Sequence, residues 1–240
     1  MSERLNGTKV VIIGGTSGIG LAVATAASEH GASVVVASSN PSNVEAAVTA
    51  LGKDASGSAV DVKDEQGVAA FFSQVGSFDH LVLTAGDCGV FVGGPLEDLD
   101  LSKASDMFGV RYWGALAAIK HSYRQIKEGG SITLTGGIVA HRPPKGAALG
   151  SAMAGGIEHL ARALAVDLAP VRVNAVCPGP ILTDLLKRAP ADRLRRFIGP
   201  DQPLPRAGTP EEVAEAYLYL MRGGYTTGQV MLVDGGRSVV

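Results

Sequence analysis

Residues 9–20 read Lys9, Val10, Val11, Ile12, Ile13, Gly14, Gly15, Thr16, Ser17, Gly18, Ile19, Gly20. Four consecutive β-branched residues run straight into a glycine turn, and Leu21 to His30 then contain neither glycine nor proline. An unbroken apolar run of this length suits a strand covered on both faces, and its direct passage into a helix is the opening of a βαβ unit. Gly14, Gly18 and Gly20 permit a tight turn and a close backbone approach. The free N–H groups of the helix N-terminus are thereby aimed at an anion such as a pyrophosphate. Thr16 and Ser17 add hydroxyl donors to the same turn, with Ile19 between the last two glycines.

Working outward, short apolar runs alternate with longer helical patterns. Strands are expected at 9–13, 33–37, 58–62, 79–85, 131–135, 171–176 and 230–233, and helices near 18–29, 42–51, 64–75, 101–127, 147–168 and 209–222. The alternation predicts an α/β class fold, a doubly wound parallel sheet of seven strands with helices on both faces, spanning 1–240 as one domain. Thr209, Pro210 and Glu212 have the order of a capping box with proline in the first turn. Gly31 is placed to end the first helix.

Composition narrows the partners. The chain has 240 residues, 21 basic against 23 acidic, and 46% hydrophobic content. That is enough apolar material for one large core and no charge excess to hold nucleic acid or an anionic membrane. The polar start and the lack of any long apolar run predict a cytoplasmic protein with no membrane span, and a small molecule as partner. Cys88 and Cys177 are far apart and show no metal-ligand spacing, so neither a disulfide framework nor a metal site is expected.

The glycine spacing, together with several later landmarks, resembles the short-chain dehydrogenase/reductase family over about 5–239. The landmarks are Asp61 and Val62 ending the third strand, Ala85 and Gly86 after the fourth, Asn174 in the sixth, Pro178 and Gly179 following it, Ile181, Thr183, and the tail Asp234, Gly235, Gly236. The resemblance implies a Rossmann-type fold. It also implies a nicotinamide dinucleotide held by the glycine turn, by 61–62 and 85–86, and by Pro178, Gly179, Ile181 and Thr183. A homodimer or homotetramer is implied through the two long helices and the last strand. Cofactor choice turns on the end of the second strand, where a carboxylate would repel a 2′-phosphate. Ser38, Ser39 and Asn40 stand there instead, which favours NADP(H) over NAD(H) on charge alone.

Against the family pattern, the expected Ser, Tyr and Lys positions align with Gly137, Gly150 and Ala154, and the helix asparagine aligns with Arg111. The strand-end Asn-Asn-Ala-Gly becomes Leu83, Thr84, Ala85, Gly86. The small replacements, continued by Gly155 and Gly156, read as a hollowed site. A general acid contributes about 10²–10⁴ in rate, whereas placing donor beside acceptor contributes about 7–11 kcal/mol, so hydride transfer survives on geometry. Arg111 is the candidate for stabilising a developing alkoxide, and His141, with Lys145 or Tyr112 as alternatives, the candidate for proton relay.

A substrate lid is expected at 182–205, where Leu185, Leu186, Leu194, Phe197 and Ile198 lie among Lys187, Arg188, Arg193, Arg195 and Arg196 between Pro190 and Pro200. The leading expectation is an NADP(H)-dependent oxidoreductase that reduces a carbonyl compound without the Ser-Tyr-Lys set. The alternative is a nucleotide-binding sensor, or an inactive partner subunit, without turnover.

Overall fold

The computed structural model describes residues 5–86, 94–104, 108–187, 198 and 201–240. Strands β1 (Lys9–Ile13), β2 (Ser33–Ser38), β3 (Ala55–Ala59), β4 (Phe78–Leu83), β5 (Ile126–Thr135), β6 (Arg172–Pro178) and β7 (Val230–Val233) form one parallel sheet in the order 3-2-1-4-5-6-7. Its helices are α1 (Gly18–Glu29), α2 (Pro41–Leu51), α3 (Glu65–Val75), α4 (Ala115–Ser122), α5 (Ala148–Asp167) and α6 (Pro210–Arg222). This is the doubly wound fold that the alternating pattern predicts.

The period of two along each strand sorts side chains into two cores. Val11, Ile13, Leu81, Leu83, Ile132, Leu134, Val173 and Ala175 pack with Phe71 and Phe72 of α3, Ile119 of α4 and Ile157 of α5. Val10, Ile12, Val34, Val36, Val82 and Val176 point the other way, onto Val23 and Ala27 of α1 and Val213, Tyr217 and Leu220 of α6. The strand order reverses between β2 and β4 around β1, and a crevice at the carboxyl ends of the strands follows from that reversal.

Two segments depart from the sequence reading. The third strand runs over 55–59 rather than 58–62, because an edge strand pairs on one side only and needs no continuous apolar run; its Ser and Gly residues bond to β2. The valines that suggested the later range, Val60 and Val62, are buried beyond the strand's end. Asp61 and Val62 therefore sit in the loop, not at a strand terminus. Among the described residues, the helix expected over 101–127 is not α-helical throughout and ends by Gln125. It comprises one turn at Leu101–Ala104, a π-helical turn at Gly109–Gly114, α4, and a 3₁₀ turn at Tyr123–Gln125. Gly114 allows this segment to press onto Val62, whose Cγ2 would lie 2.5 Å from any Cβ placed there. A π turn inside an α-helical run often marks a functional position, and here it carries Arg111.

Local signals at the α6 N-terminus agree with the sequence. The Thr209 side chain accepts from the Glu212 N–H, and Glu212 accepts from the Thr209 N–H at 2.9 Å. At the other end of α6, the buried Arg172 guanidinium donates to the carbonyls of Leu220 at 2.6 Å, Met221 at 2.8 Å and Gly223 at 2.9 Å, closing the helix terminus. Arg172 lies in register with Ser131, and Ser131 with His80, so one row across β4, β5 and β6 is polar. His80 Nδ1 meets Ser131 Oγ at 2.9 Å, and burial, with the Arg172 charge second, pushes the imidazole down to about 4.

Candidate functional site

The crevice is built first by the turn between β1 and α1. Gly14 has φ +89°, and a Cβ there would stand 2.5 Å from the Ala85 backbone nitrogen; at Gly20 it would stand 2.1 Å from the Gly14 carbonyl oxygen. Only glycine fits either position, so the turn is pressed against the end of β4 and leaves the α1 N-terminus facing outward. The first turn of α1 carries no acidic residue, and Ser17 occupies the N-cap in an extended conformation without using its hydroxyl to cap the helix. Donors are thus aimed outward with no carboxylate to compete. Thr84 Oγ1 donates to the Ile13 carbonyl at 3.1 Å, and this bond joins β4 to β1 where the family pattern has asparagine.

The other residues singled out for the cofactor distribute around that turn. Ala85 and Gly86 follow β4. Pro178 closes β6, and the Gly179 N–H donates to the Val233 carbonyl at 2.9 Å. Ile181 is buried and bridges to Gly208, while Thr183 faces Gly18, with its Cγ2 3.1 Å from where a Gly18 Cβ would be. Thr16 and Ile19 are half-buried in the turn. At the end of β2, Ser38 is half-buried and Ser39 exposed. Asn40 is committed elsewhere, since its side-chain oxygen accepts from the N–H groups of Ser42 at 2.9 Å and Asn43 at 3.3 Å to cap α2. Asp61 is exposed and accepts from the Lys63 N–H at 3.0 Å, a loop-stabilising contact, and Val62 is buried beneath Gly114. Asn174 is structural: its amide donates to the Thr226 carbonyl and accepts from the Gln229 N–H, tying β6 to the approach of β7.

Arg111 crosses the crevice floor. Its Nη1 donates to the Gly136 carbonyl at 3.0 Å, and the guanidinium lies against Gly86, where a Cβ would fall 2.2 Å from Nη2. The cation is therefore held between the ends of β4 and β5. Tyr112 packs edge-on against Trp113 and leans on α5 at Gly156. Lys145 is exposed on the loop before α5.

Gly137 has an extended backbone, and a Cβ there would meet nothing nearer than Val139 Cγ2 at 3.9 Å. Gly150 and Ala154 are buried on one face of α5, and the residue one turn further along that face is Glu158, which is 4% exposed. Long helical side chains lean toward the N-terminus, which carries the Glu158 carboxylate back toward the strand ends. There its Oε1 lies 2.8 Å from His141 Nε2 and accepts from the Cys177 thiol at 3.2 Å. The Gly137 N–H also reaches that sulfur, while burial and then the Glu158 charge push the thiol well above its usual range. His141 is thus joined to two residues that sequence reading did not connect to it. The signals that would have found them are the four-residue recurrence 150, 154, 158 on α5 and the shared parity of Ala175 and Cys177 on β6.

The proposed lid falls mostly outside the described residues, including Arg188, Pro190, Arg193, Leu194, Arg195, Arg196, Phe197 and Pro200. Cys88 falls outside them too. What is described is a short helical turn, Asp184–Lys187, whose start is marked by Thr183, and the return segment from 201. Among the described residues, no helix is long and apolar enough to cross a membrane.

With this geometry in place, comparison with known proteins is informative. A family model described as enoyl-(acyl carrier protein) reductase matches residues 14–238. The short-chain dehydrogenase/reductase MalC of Malbranchea aurantiaca is 35% identical, with 98% of this chain and 96% of that protein covered. The solved structure of that reductase/Diels–Alderase superposes with a TM-score of 0.89 over all of both chains, at 32% identity. Carbonyl reductase family member 4 of Xenopus laevis is 33% identical over 94% of this chain and 95% of its own. The crystal structure of a small-chain dehydrogenase in complex with NADPH gives a TM-score of 0.82 at 35% identity, covering 97% of this chain and 99% of that one.

Proposed function

The chain belongs to the short-chain dehydrogenase/reductase family, and on that premise we propose that it is an NADP(H)-dependent reductase of a carbonyl substrate that works without a Ser-Tyr-Lys set. The observation that carries this reading is the pairing of a glycine turn that admits no side chain with a guanidinium fixed between the ends of β4 and β5. Gly14, Gly18 and Gly20 with the α1 N-terminus would hold the pyrophosphate, and Pro178, Gly179, Ile181 and Thr183 would flank the nicotinamide. The neutral Ser38 and Ser39 leave room for a 2′-phosphate, in keeping with the NADPH-bound relative. NADPH, when bound, supplies the hydride.

The chain's own residues supply the rest. Arg111 stabilises negative charge on the carbonyl oxygen in a site shielded from water, a contribution of about 3–4 kcal/mol for a well-placed donor. His141, held by Glu158, relays the proton. Assembly into a homodimer or homotetramer is part of the same reading.

The test is transfer of deuterium from 4-deuterated NADPH to a panel of ketones and quinones, beside NADPH and NADH titrations followed by fluorescence. Label in product, lost about 10²–10³-fold in Arg111→Ala with coenzyme affinity retained, supports the reading. Tight coenzyme binding with no label in any acceptor points instead to a non-catalytic sensor or inactive partner subunit. The small residues at 137, 150 and 154 favour that second reading.

A further inference from the structure

We propose that His141, Glu158 and Cys177 form a binding site for a thiophilic divalent cation of the Zn²⁺ type, set beside the strand ends on the α5 face of the sheet. The three donors are one imidazole nitrogen, one carboxylate oxygen and one sulfur, and all lie within 4.8 Å of one another. They come from three elements: the loop after β5, α5 and the end of β6. A cation held at ordinary Zn–N, Zn–O and Zn–S lengths in a tetrahedron needs its ligands about 3.4–3.6 Å apart. The His–Glu and Cys–Glu separations are 2.8 and 3.2 Å, so they open by about 0.6 and 0.4 Å, while the His–Cys pair already lies within 4.8 Å.

The cluster also has the surroundings of a metal site. Glu158 and Cys177 are buried on well-packed elements, which fixes two ligands before a cation arrives. The Gly137 N–H reaches the cysteine sulfur and opposes the burial and the Glu158 charge that hold the thiol protonated, so the thiolate forms only with a cation bound beside it. Mixed S, N and O ligation by three residues, with a fourth position open, suits Zn²⁺ or Co²⁺ and not the all-oxygen demand of Mg²⁺ or Ca²⁺. Binding is balanced in protons: the cation displaces the thiol proton to solvent. The imidazole binds as the neutral tautomer carrying its hydrogen on Nδ1, so cation, thiolate and carboxylate sum to zero charge in the buried site.

One consequence rests on the reading under Proposed function. A cation on His141 Nε2 removes that ring from proton relay, so Zn²⁺ suppresses turnover at the concentrations that fill the site.

The primary test does not depend on turnover. Untagged, metal-free full-length protein is titrated with Co²⁺ and followed by absorption. A thiolate-to-cobalt charge-transfer band with the visible bands of tetrahedral Co²⁺ is expected, reversed by competing Zn²⁺. Cys88→Ser keeps the band, Cys177→Ser abolishes it, and His141→Ala and Glu158→Gln weaken Co²⁺ binding roughly tenfold to a hundredfold. Thermal melts confirm that each variant is folded, and Cys177→Ser, differing by one atom, is the conservative control. No band in the wild-type protein, or a band that survives Cys177→Ser, overturns the proposal. If the band appears but no substrate is ever reduced, the cation site stands and the reductase reading fails.

Discussion

Two of the polar clusters among the described buried side chains of the parallel sheet lie at opposite ends of the strands and on opposite faces, and they differ in how their valences are met. At the amino-terminal end, Arg172 spends its Nη1 and Nη2 donors on backbone carbonyls of Leu220, Met221, Gly223 and Gly129 while its buried Nε has no partner among the described residues, and His80 is joined to Ser131. Each of these contacts ties one fixed element to another. At the carboxyl end, the Glu158 Oε1 is shared by His141 Nε2 and the Cys177 thiol, and the His141 side chain remains 33% exposed beside the crevice. The first cluster holds the fold closed; the second is a set of exchangeable partners at the end of the sheet where open α/β folds bind ligands.

The largest effect that would break this contrast is at Arg172. Arg172→Met leaves several buried carbonyls at the α6 terminus without a donor and should lower unfolding stability by about 3–5 kcal/mol, read by chemical denaturation. A loss below about 1 kcal/mol would show that the amino-terminal cluster is not the structural one.

Next in size is the acid response of His80. Its folded-state value is about 4 because burial disfavours the imidazolium, whereas in the unfolded chain it titrates near the ordinary histidine value of about 6.5. The unfolded state therefore binds a proton first as pH falls. Stability is intact above about pH 6.5, declines by up to about 1.4 kcal/mol per pH unit below it, and loses about 3 kcal/mol in all by pH 4. His80→Gln, which cannot titrate, should flatten the curve between pH 6.5 and 5, before most carboxylates protonate. An unchanged slope in that variant assigns the acid response elsewhere.

Legibility follows the same division. The bounds of β1, α1 and β7 and the capping box at Thr209 could be read from sequence because each is decided locally, by a β-branched run, a glycine turn or a cap. The π turn at Gly109–Gly114 could not, since it depends on how closely Gly114 meets Val62 from another element. Arg111 stands out in the sequence because it aligns with the family's helix asparagine, and His141 because an imidazole follows the fifth strand. Glu158 was not: one carboxylate between Ile157 and His159 looks like any solvated helix residue until the β6 sulfur is known to face it. Arg172 and His80 were equally silent, because a cation bound by backbone carbonyls leaves no partner residue type in the sequence.

A smaller effect is expected where the contrast predicts tolerance. Glu158→Met replaces a buried carboxylate by an apolar chain of similar length. It leaves His141 to solvent and only a weak thiol donor unpaired, so stability should stay within about 1 kcal/mol of wild type while the Co²⁺ band is lost. A collapse of the fold comparable to Arg172→Met would place both clusters in the same structural class.

The smallest effect belongs to Gly137. Its φ of −178° is extended backbone that any residue adopts, and an added Cβ finds only Val139 Cγ2 at 3.9 Å. Gly137→Ser therefore meets no steric penalty, and by narrowing the unfolded ensemble it should stabilise the protein by about 0.4–1 kcal/mol in thermal or urea melts. Activity should change by less than about tenfold, because a lone serine hydroxyl there has neither a tyrosine at position 150 nor a lysine at position 154 to work with, and groups that act as a unit do not contribute separately. A large gain in deuteride transfer from this one substitution would show that Arg111 and His141 already supply what those two residues would have given. A clear loss of stability would show instead that the open space beside Gly137 is needed by the neighbouring Cys177 cluster.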